Sequence, residues 1–191
     1  MRKIVGNTDY QGAVFVYKND GTEQLAWADV NAINTTHGGI RGELHTDKTH
    51  FINGLKTWNT SVDPINAFLC IYAHMGTPGL NCVAGMTPSA VTWQELADAL
   101  PKGVQYLWLV GCDSQECMKT WSPLSSPVRH RLLATSKDEC WKPLLRVFAA
   151  EISINNITCD DKMTTLIAGL EPDLSKHTHY FKPQAKGFVA D

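Results

Sequence analysis

The chain has 191 residues, of which 43% are hydrophobic and 19% charged, and its formal net charge is −2. That length and balance fit one globular domain with a well-buried core and exclude a disordered chain. The near-neutral charge, with no stripe of Lys and Arg, excludes nucleic acid as an expected partner, and no apolar run reaches the 18 residues of a membrane span.

In chain order, residues 12–30, "GAVFVYKNDGTEQLAWADV", read as a strand, a turn at "KNDG", and a second strand or the start of a helix. The glycine-rich stretch "INTTHGGIRGE" at 33–43 reads as loop. Residues 45–58 set Phe51, Leu55 and Trp58 at helical spacing, with Thr46 or Asp47 as N-cap. "INAFLCIYA" at 65–73 is a nearly continuous apolar run of strand length, suited to a central strand covered on both faces. Gly and Pro recur throughout 74–90, which reads as loop. Residues 92–100 predict a short helix, with Thr92 as N-cap, Glu95 completing a capping box, and Pro101 and Gly103 past its end.

A second central strand is expected at 104–111 and a third at 131–136. The basic "RHR" at 129–131 marks the start of that third strand rather than a phosphate site. Residues 138–152 predict a helix with Leu144, Leu145, Phe148 and Ile152 on one stripe. The last thirty residues read as a possible helix at 161–170 and a polar tail. Strands alternating with helices imply an α/β fold with a parallel sheet.

Six cysteines, Cys70, Cys82, Cys112, Cys117, Cys140 and Cys159, would suit three disulfides in a small secreted chain. This chain is too long to need them, several lie in apolar runs, and the basic start lacks the apolar stretch of a signal peptide. Reduced thiols and a cytoplasmic location are expected. Cys112 and Cys117 are separated by a four-residue gap, and His177 and His179 lie far off in sequence. That spacing lacks the matched pairs of a zinc site, so no metal or other cofactor is expected. No Gly-Lys-Ser/Thr loop suggests a nucleotide.

Two strand ends stand out. His74 follows the run at 65–73, and Cys112 follows the run at 104–111. In open parallel sheets ligands bind beyond the carboxyl ends of the strands, so neighbouring strands would deliver both side chains to one rim. A free thiol, with a pKa of about 8.5, is only slightly ionised at neutral pH, and an adjacent imidazole activates it and then protonates a leaving amine. Gly76 and Gly79 allow the close backbone approach that an oxyanion hole needs. Read without a partner, Cys112 is equally a small buried residue and His74 a strand cap.

The segments "IYAHMG", "YLWLVGCDSQ" and "RLLATSKDECWKPLLRVFAAEI" resemble the caspase-like cysteine peptidases, most closely the CHAT branch and, around the cysteine, the separases. The resemblance covers about 45–152. It implies a single CHAT-type domain over 1–191, built as a three-layer α/β/α sandwich around a mainly parallel sheet. It further implies peptide-bond hydrolysis with Cys112 as nucleophile, His74 as general acid/base, and the Gly76 and Cys112 backbone N–H groups as the oxyanion hole. Such proteins are often held inactive until a regulatory protein partner or a ligand releases them. Asp113 and Glu116 would line a pocket for a basic side chain of a peptide substrate, and Trp121 a substrate groove. The sequence departs from the family at His74-Met75-Gly76, where relatives have His followed directly by Gly. This departure supports the alternative, a catalytically inactive caspase-like scaffold or binding subunit. A thiol acyltransferase would use the same dyad.

Overall fold

The computed structural model describes residues 2–5, 8–18, 28, 41–61, 67–81, 89–100, 104–121, 131–136, 167–170, 172–184 and 187–190. In chain order these form β1 (Arg2–Val5), β2 (Thr8–Tyr17), β3 (Arg41–His45), α1 (Lys48–Ser61), β4 (Ala67–Ala73), β5 (Met75–Gly76), β6 (Gly79–Leu80), β7 (Val91–Thr92), α2 (Trp93–Ala99) and β8 (Val104–Val110). A 3₁₀ turn (Ser114–Glu116), α3 (Cys117–Trp121), β9 (Arg131–Thr135), α4 (Pro172–His177), β10 (Thr178–Gln184) and β11 (Gly187–Ala190) follow. No helix among the described residues is long and apolar enough to cross a membrane.

The main sheet runs β1-β2-β4-β8-β9-β10-β11, with β3 also on β2. The pairings β3–β2, β2–β4, β4–β8 and β8–β9 are parallel, so the fold is α/β with a parallel central sheet. From β2 the chain moves to β3 on one side and then to β4 on the other. The strand order therefore reverses between β2 and β4, which opens a crevice at their carboxyl ends. β1 and β10 are antiparallel to their neighbours and flank the parallel run.

Period-two alternation sorts the strand residues onto two faces. Phe15 and Tyr17 of β2, Leu69, Ile71 and Ala73 of β4, Leu107 and Leu109 of β8, and Leu132 and Ala134 of β9 share one core with Phe51 and Leu55 of α1, Leu96 of α2 and Trp121 of α3. Burying each large side chain contributes about 1.5–3 kcal/mol. The opposite face, with Val14, Val16, Cys70, Tyr72, Trp108 and Val110, is just as deeply buried. Burial on both faces explains why these strands read as unbroken apolar runs.

Helices α1 and α2 start where capping chemistry predicts. Asp47 accepts the His50 backbone N–H at 2.9 Å and pairs with the His50 ring as well, so Asp47 caps α1. That ring bond holds the Asp47 carboxyl below the usual range. On α2, Thr92 Oγ1 accepts the Glu95 N–H at 3.2 Å and Glu95 Oε2 accepts the Thr92 N–H at 2.9 Å, the reciprocal box expected. Lys48 Nζ adds an ion pair to Glu95 at 2.7 Å and ties α1 to α2.

Four expectations change. Arg41, Gly42 and Glu43, expected in a loop, open β3 on the edge of β2. The segment 74–90, expected as loop, contains the β5–β6 hairpin. The first strand, expected from residue 12, starts at Thr8 as β2, with Arg2–Val5 as β1 beside it. The polar tail forms β10, which carries Thr178, His179, Lys182 and Gln184, and the short apolar β11. Pro183 lies beyond the stretch Thr178–Phe181 that pairs with β9, where its missing N–H interrupts no β9 pairing. The helix expected at 138–152 lies outside the described residues.

The Glu95 carboxyl is held below its usual value of 4.5, first by Lys48 and then by the Thr92 backbone N–H. Its stabilising contribution is complete above about pH 4.5 and is lost as pH falls through the lowered folded value, because the unfolded chain protonates first. The Glu95→Gln variant is expected to lose about 0.2–1 kcal/mol at neutral pH, since the ion pair is half-exposed. It should also flatten the acid limb below pH 4.5, which urea midpoints measured against pH will read.

Candidate active site

The β4–β8 register decides the site. Cys70 lies opposite Trp108 and Tyr72 opposite Val110. Carried two residues further, the same register sets His74 opposite Cys112 at the carboxyl ends of adjacent parallel strands. Ala73 and Met75 both join the α1–α3 core, so the intervening His74 belongs to the other face, that of Tyr72 and Val110. His74 and Cys112 are both half-buried.

Gly111 brings the two strand ends together. A Cβ there would lie 2.3 Å from the Ala73 carbonyl oxygen and 2.7 Å from Met75 Cγ. The backbone before Cys112 thus rests directly on the backbone before His74. Met75, the residue that interrupts the His-Gly pattern, is a core side chain lying over Gly111.

Two buried hydroxyls hold the turn that carries Cys112. Asp113 takes a left-handed conformation, with φ +48°, and turns the chain into the 3₁₀ segment. Ser114 Oγ donates to the Leu109 carbonyl at 2.8 Å and accepts the Thr135 N–H at 2.8 Å. Thr135 Oγ1 donates to the Gly111 carbonyl at 2.5 Å. The carbonyls of Leu109 and Gly111, which have no further strand residue to pair with, are satisfied by side chains that are themselves fully enclosed.

The His74 side is fixed by the β5–β6 hairpin. The Asn81 N–H donates to the His74 carbonyl at 2.8 Å, Met75 pairs with Leu80, and Gly76 pairs with Gly79. Alternation along an antiparallel ladder then commits the Gly76 N–H to Gly79 and directs the Met75 N–H away from β6. Gly76, expected to lend its N–H to an oxyanion hole, has by this alternation its N–H toward Gly79, and Met75 carries the outward N–H next to His74. A Cβ on Gly76 would meet nothing within 4 Å, so open space lies over it. Gly79, with φ +147°, admits no side chain, since a Cβ would sit 2.0 Å from the Val91 carbonyl oxygen.

A pair of tryptophans links the two halves. Trp93 Nε1 donates to the Thr77 carbonyl in the hairpin turn at 3.0 Å, and Trp121 Nε1 donates to the Trp93 carbonyl at 2.9 Å. The two rings meet edge to face at 5.8 Å. Trp121 was expected beside a substrate groove. It is 1% exposed and packs in the core instead, because α3 turns its indole inward onto Trp93.

Glu116 pairs with Lys119 at 2.6 Å on the first turn of α3, and Asp113 forms the turn itself. Among the described cysteines, burial pushes the thiols of Cys70 and Cys117 up, with Glu116 adding to the effect at Cys117. Cys112 is the half-exposed thiol of the three.

Lys18 is the residue that the sequence reading passed over, inside its "KNDG" turn. Tyr17 pairs with Ala73, so Lys18 falls opposite His74 on the crevice strand β2. It is 5% exposed, with Nζ 5.7 Å from the centroid of the Tyr72 ring. The signal was present: "AVFVY" ends in Lys18 just as the next two strands end in His74 and Cys112.

The Gly111→Ala variant is expected to lose about 1–3 kcal/mol through overpacking. Ser114→Ala leaves the Leu109 carbonyl and the Thr135 N–H without their partner, at about 1–3 kcal/mol for each group. Denaturant midpoints check both, and unchanged midpoints would show that the turn is not clamped as described.

No family model, curated protein or solved structure matches this chain, so its site is read from its own geometry.

Proposed function

We propose that the chain is a cysteine endopeptidase of caspase-like architecture, with Cys112 as nucleophile and His74 as general acid/base. The observation that supports this reading is the β4–β8 register, whose last pair, Tyr72 and Val110, stands two residues before His74 and Cys112. The three-layer α/β/α sandwich belongs to the same proposal. It is supported by the helices on one face of the sheet and by the burial of the other.

In this mechanism His74 takes the Cys112 proton, and the thiolate sulfur attacks the carbonyl carbon of the scissile peptide bond. The resulting oxyanion accepts hydrogen bonds from the Cys112 and Met75 N–H groups. As the C–N bond breaks, His74 returns the proton to the leaving amine and a thioester remains. His74 then takes a proton from water, hydroxide displaces the thiolate, and the acid product leaves with the thiol restored. Lys18 adds a cation at the same height, and electropositive surroundings favour the thiolate. The open space over Gly76, two residues after His74, supports access of a peptide to that side of the hairpin. Asp113 and Glu116 stay with this proposal as the acidic groups nearest the nucleophile, for a basic substrate side chain. A regulatory protein partner and a cytoplasmic setting also belong to it.

The second reading, an inactive caspase-like binding subunit, is favoured by Met75, which puts a core residue where a glycine would follow the histidine. A peptidyl acyloxymethyl ketone separates the two readings. For an enzyme, mass spectrometry should place the adduct on Cys112, with Cys70 and Cys117 unlabelled. His74→Ala should slow labelling by about 100-fold or more, and Lys18→Met should slow it more than Lys18→Arg. Labelling spread over several cysteines and indifferent to His74 would overturn the peptidase reading and favour the binding subunit.

A further inference from the structure

We propose that His177, His179 and Ser136 form a binding site for one nitrogen-seeking transition-metal dication of the zinc, cobalt, nickel or copper class. The site lies at the β9–β10 junction and is independent of the cysteine chemistry.

The placement follows from register. Thr178 pairs with Thr135 and His179 with Ala134, and His177, the last residue of α4, directly precedes this register. Ser136 lies two residues beyond Ala134. Its backbone N–H donates to the His177 carbonyl at 2.9 Å, which fixes the two strand ends against each other. His177 Nδ1 stands 3.1 Å from Ser136 Oγ, and His179 Nε2 stands 2.9 Å from the same oxygen. One imidazole nitrogen from the last residue of α4 and one from β10 thus converge on the hydroxyl that follows β9, and all three side chains are half-buried.

The Ser136 hydroxyl carries one proton, which it can direct to a ring nitrogen or to the His177 carbonyl at 3.5 Å, and it can accept from either ring. A dication needs both facing nitrogens without protons, and moving one proton to the far nitrogen of its ring achieves this. Metal–imidazole bonds are about 2.0–2.1 Å, so two donors on one ion stand about 3 Å apart, and the 3.1 and 2.9 Å nitrogen–oxygen separations match that spacing. Water completes the shell. Nitrogen donors select this class over calcium and magnesium, which take oxygen. Among the described residues no group of three His, Cys, Asp or Glu converges as a metal site. With two histidines and a hydroxyl, the affinity is modest and the ion exchangeable. Sequence spacing missed the site because Ser136 is about forty positions from its partners.

Cobalt(II) titration of the full chain under a phosphine reductant tests this by absorption. The expected result is one equivalent bound, with visible d–d bands and no thiolate charge-transfer band, unchanged in Cys112→Ser. His177→Ala and His179→Ala should each weaken binding at least tenfold, and Ser136→Ala by about tenfold. His179→Gln, which keeps a polar contact to Ser136, should match the wild-type melting temperature in chelator yet lose the rise that zinc produces. Ser136→Cys should tighten binding and add a thiolate charge-transfer band. The proposal is overturned if the histidine variants keep wild-type affinity, if Ser136→Cys adds no such band, or if the wild-type signal is a thiolate band that disappears in Cys112→Ser. In each of those cases the three residues are a hydrogen-bond cluster only.

Discussion

The contact between Gly111 and the Ala73 carbonyl is the constraint on which the rest of this rim depends. Neighbouring strands lie about 4.8 Å apart, and side chains leave them toward the two faces of the sheet. Here one exit has no side chain, and the other presents its carbonyl and the flank of a methionine. Everything chemically interesting lies one residue past this contact on each strand. The two hydroxyls of Ser114 and Thr135 hold the same contact from beyond β8 by binding the carbonyls that β8 leaves over. Enclosed hydroxyls are worth keeping only when every partner is present, and here each proton has an acceptor.

Bracing extends outward from that contact through aromatic rather than ionic groups. The Trp93 and Trp121 indoles each donate to a backbone carbonyl, so the hairpin, α2 and α3 share one hydrogen-bonded chain. A tryptophan buried without a partner would cost the desolvation of its N–H. Used this way, each ring supplies a large apolar surface and a directional bond. A different aromatic contact lies at the ends of β2 and β4, where the Lys18 ammonium stands 5.7 Å from the centroid of the Tyr72 ring.

The central strands and both capped helices were legible in the sequence, because burial on two faces writes long apolar runs and capping boxes have fixed spacing. The Thr92–Glu95 box needed no tertiary information. The strand ends at His74 and Cys112 were legible for the same reason. β1, β3 and β10 were not, since strands near a sheet margin carry polar residues and lose the apolar signature, and β11, with four residues, is too short to show a period. The hairpin at Met75–Leu80 was hidden by its own turn residues, Thr77 and Pro78. Trp121 was misjudged because its inward direction depends on α3, a helix too short to show a period. Ladder hydrogen bonding likewise decided between Gly76 and Met75, and composition carries no trace of that.

The sheet divides the molecule's labour between its two sides. Phe15, Leu55, Leu96 and their neighbours cement one side, whereas the row formed by Lys18, His74 and Cys112 follows the alternation of the other. Substitutions that drift through the helix-covered side therefore alter how firmly the chain holds together without redrawing that row. Lineages of this protein are free to retune thermal tolerance while the row at the rim varies on a separate track, with Met75, a core side chain that lies against Gly111, as the point where those tracks meet.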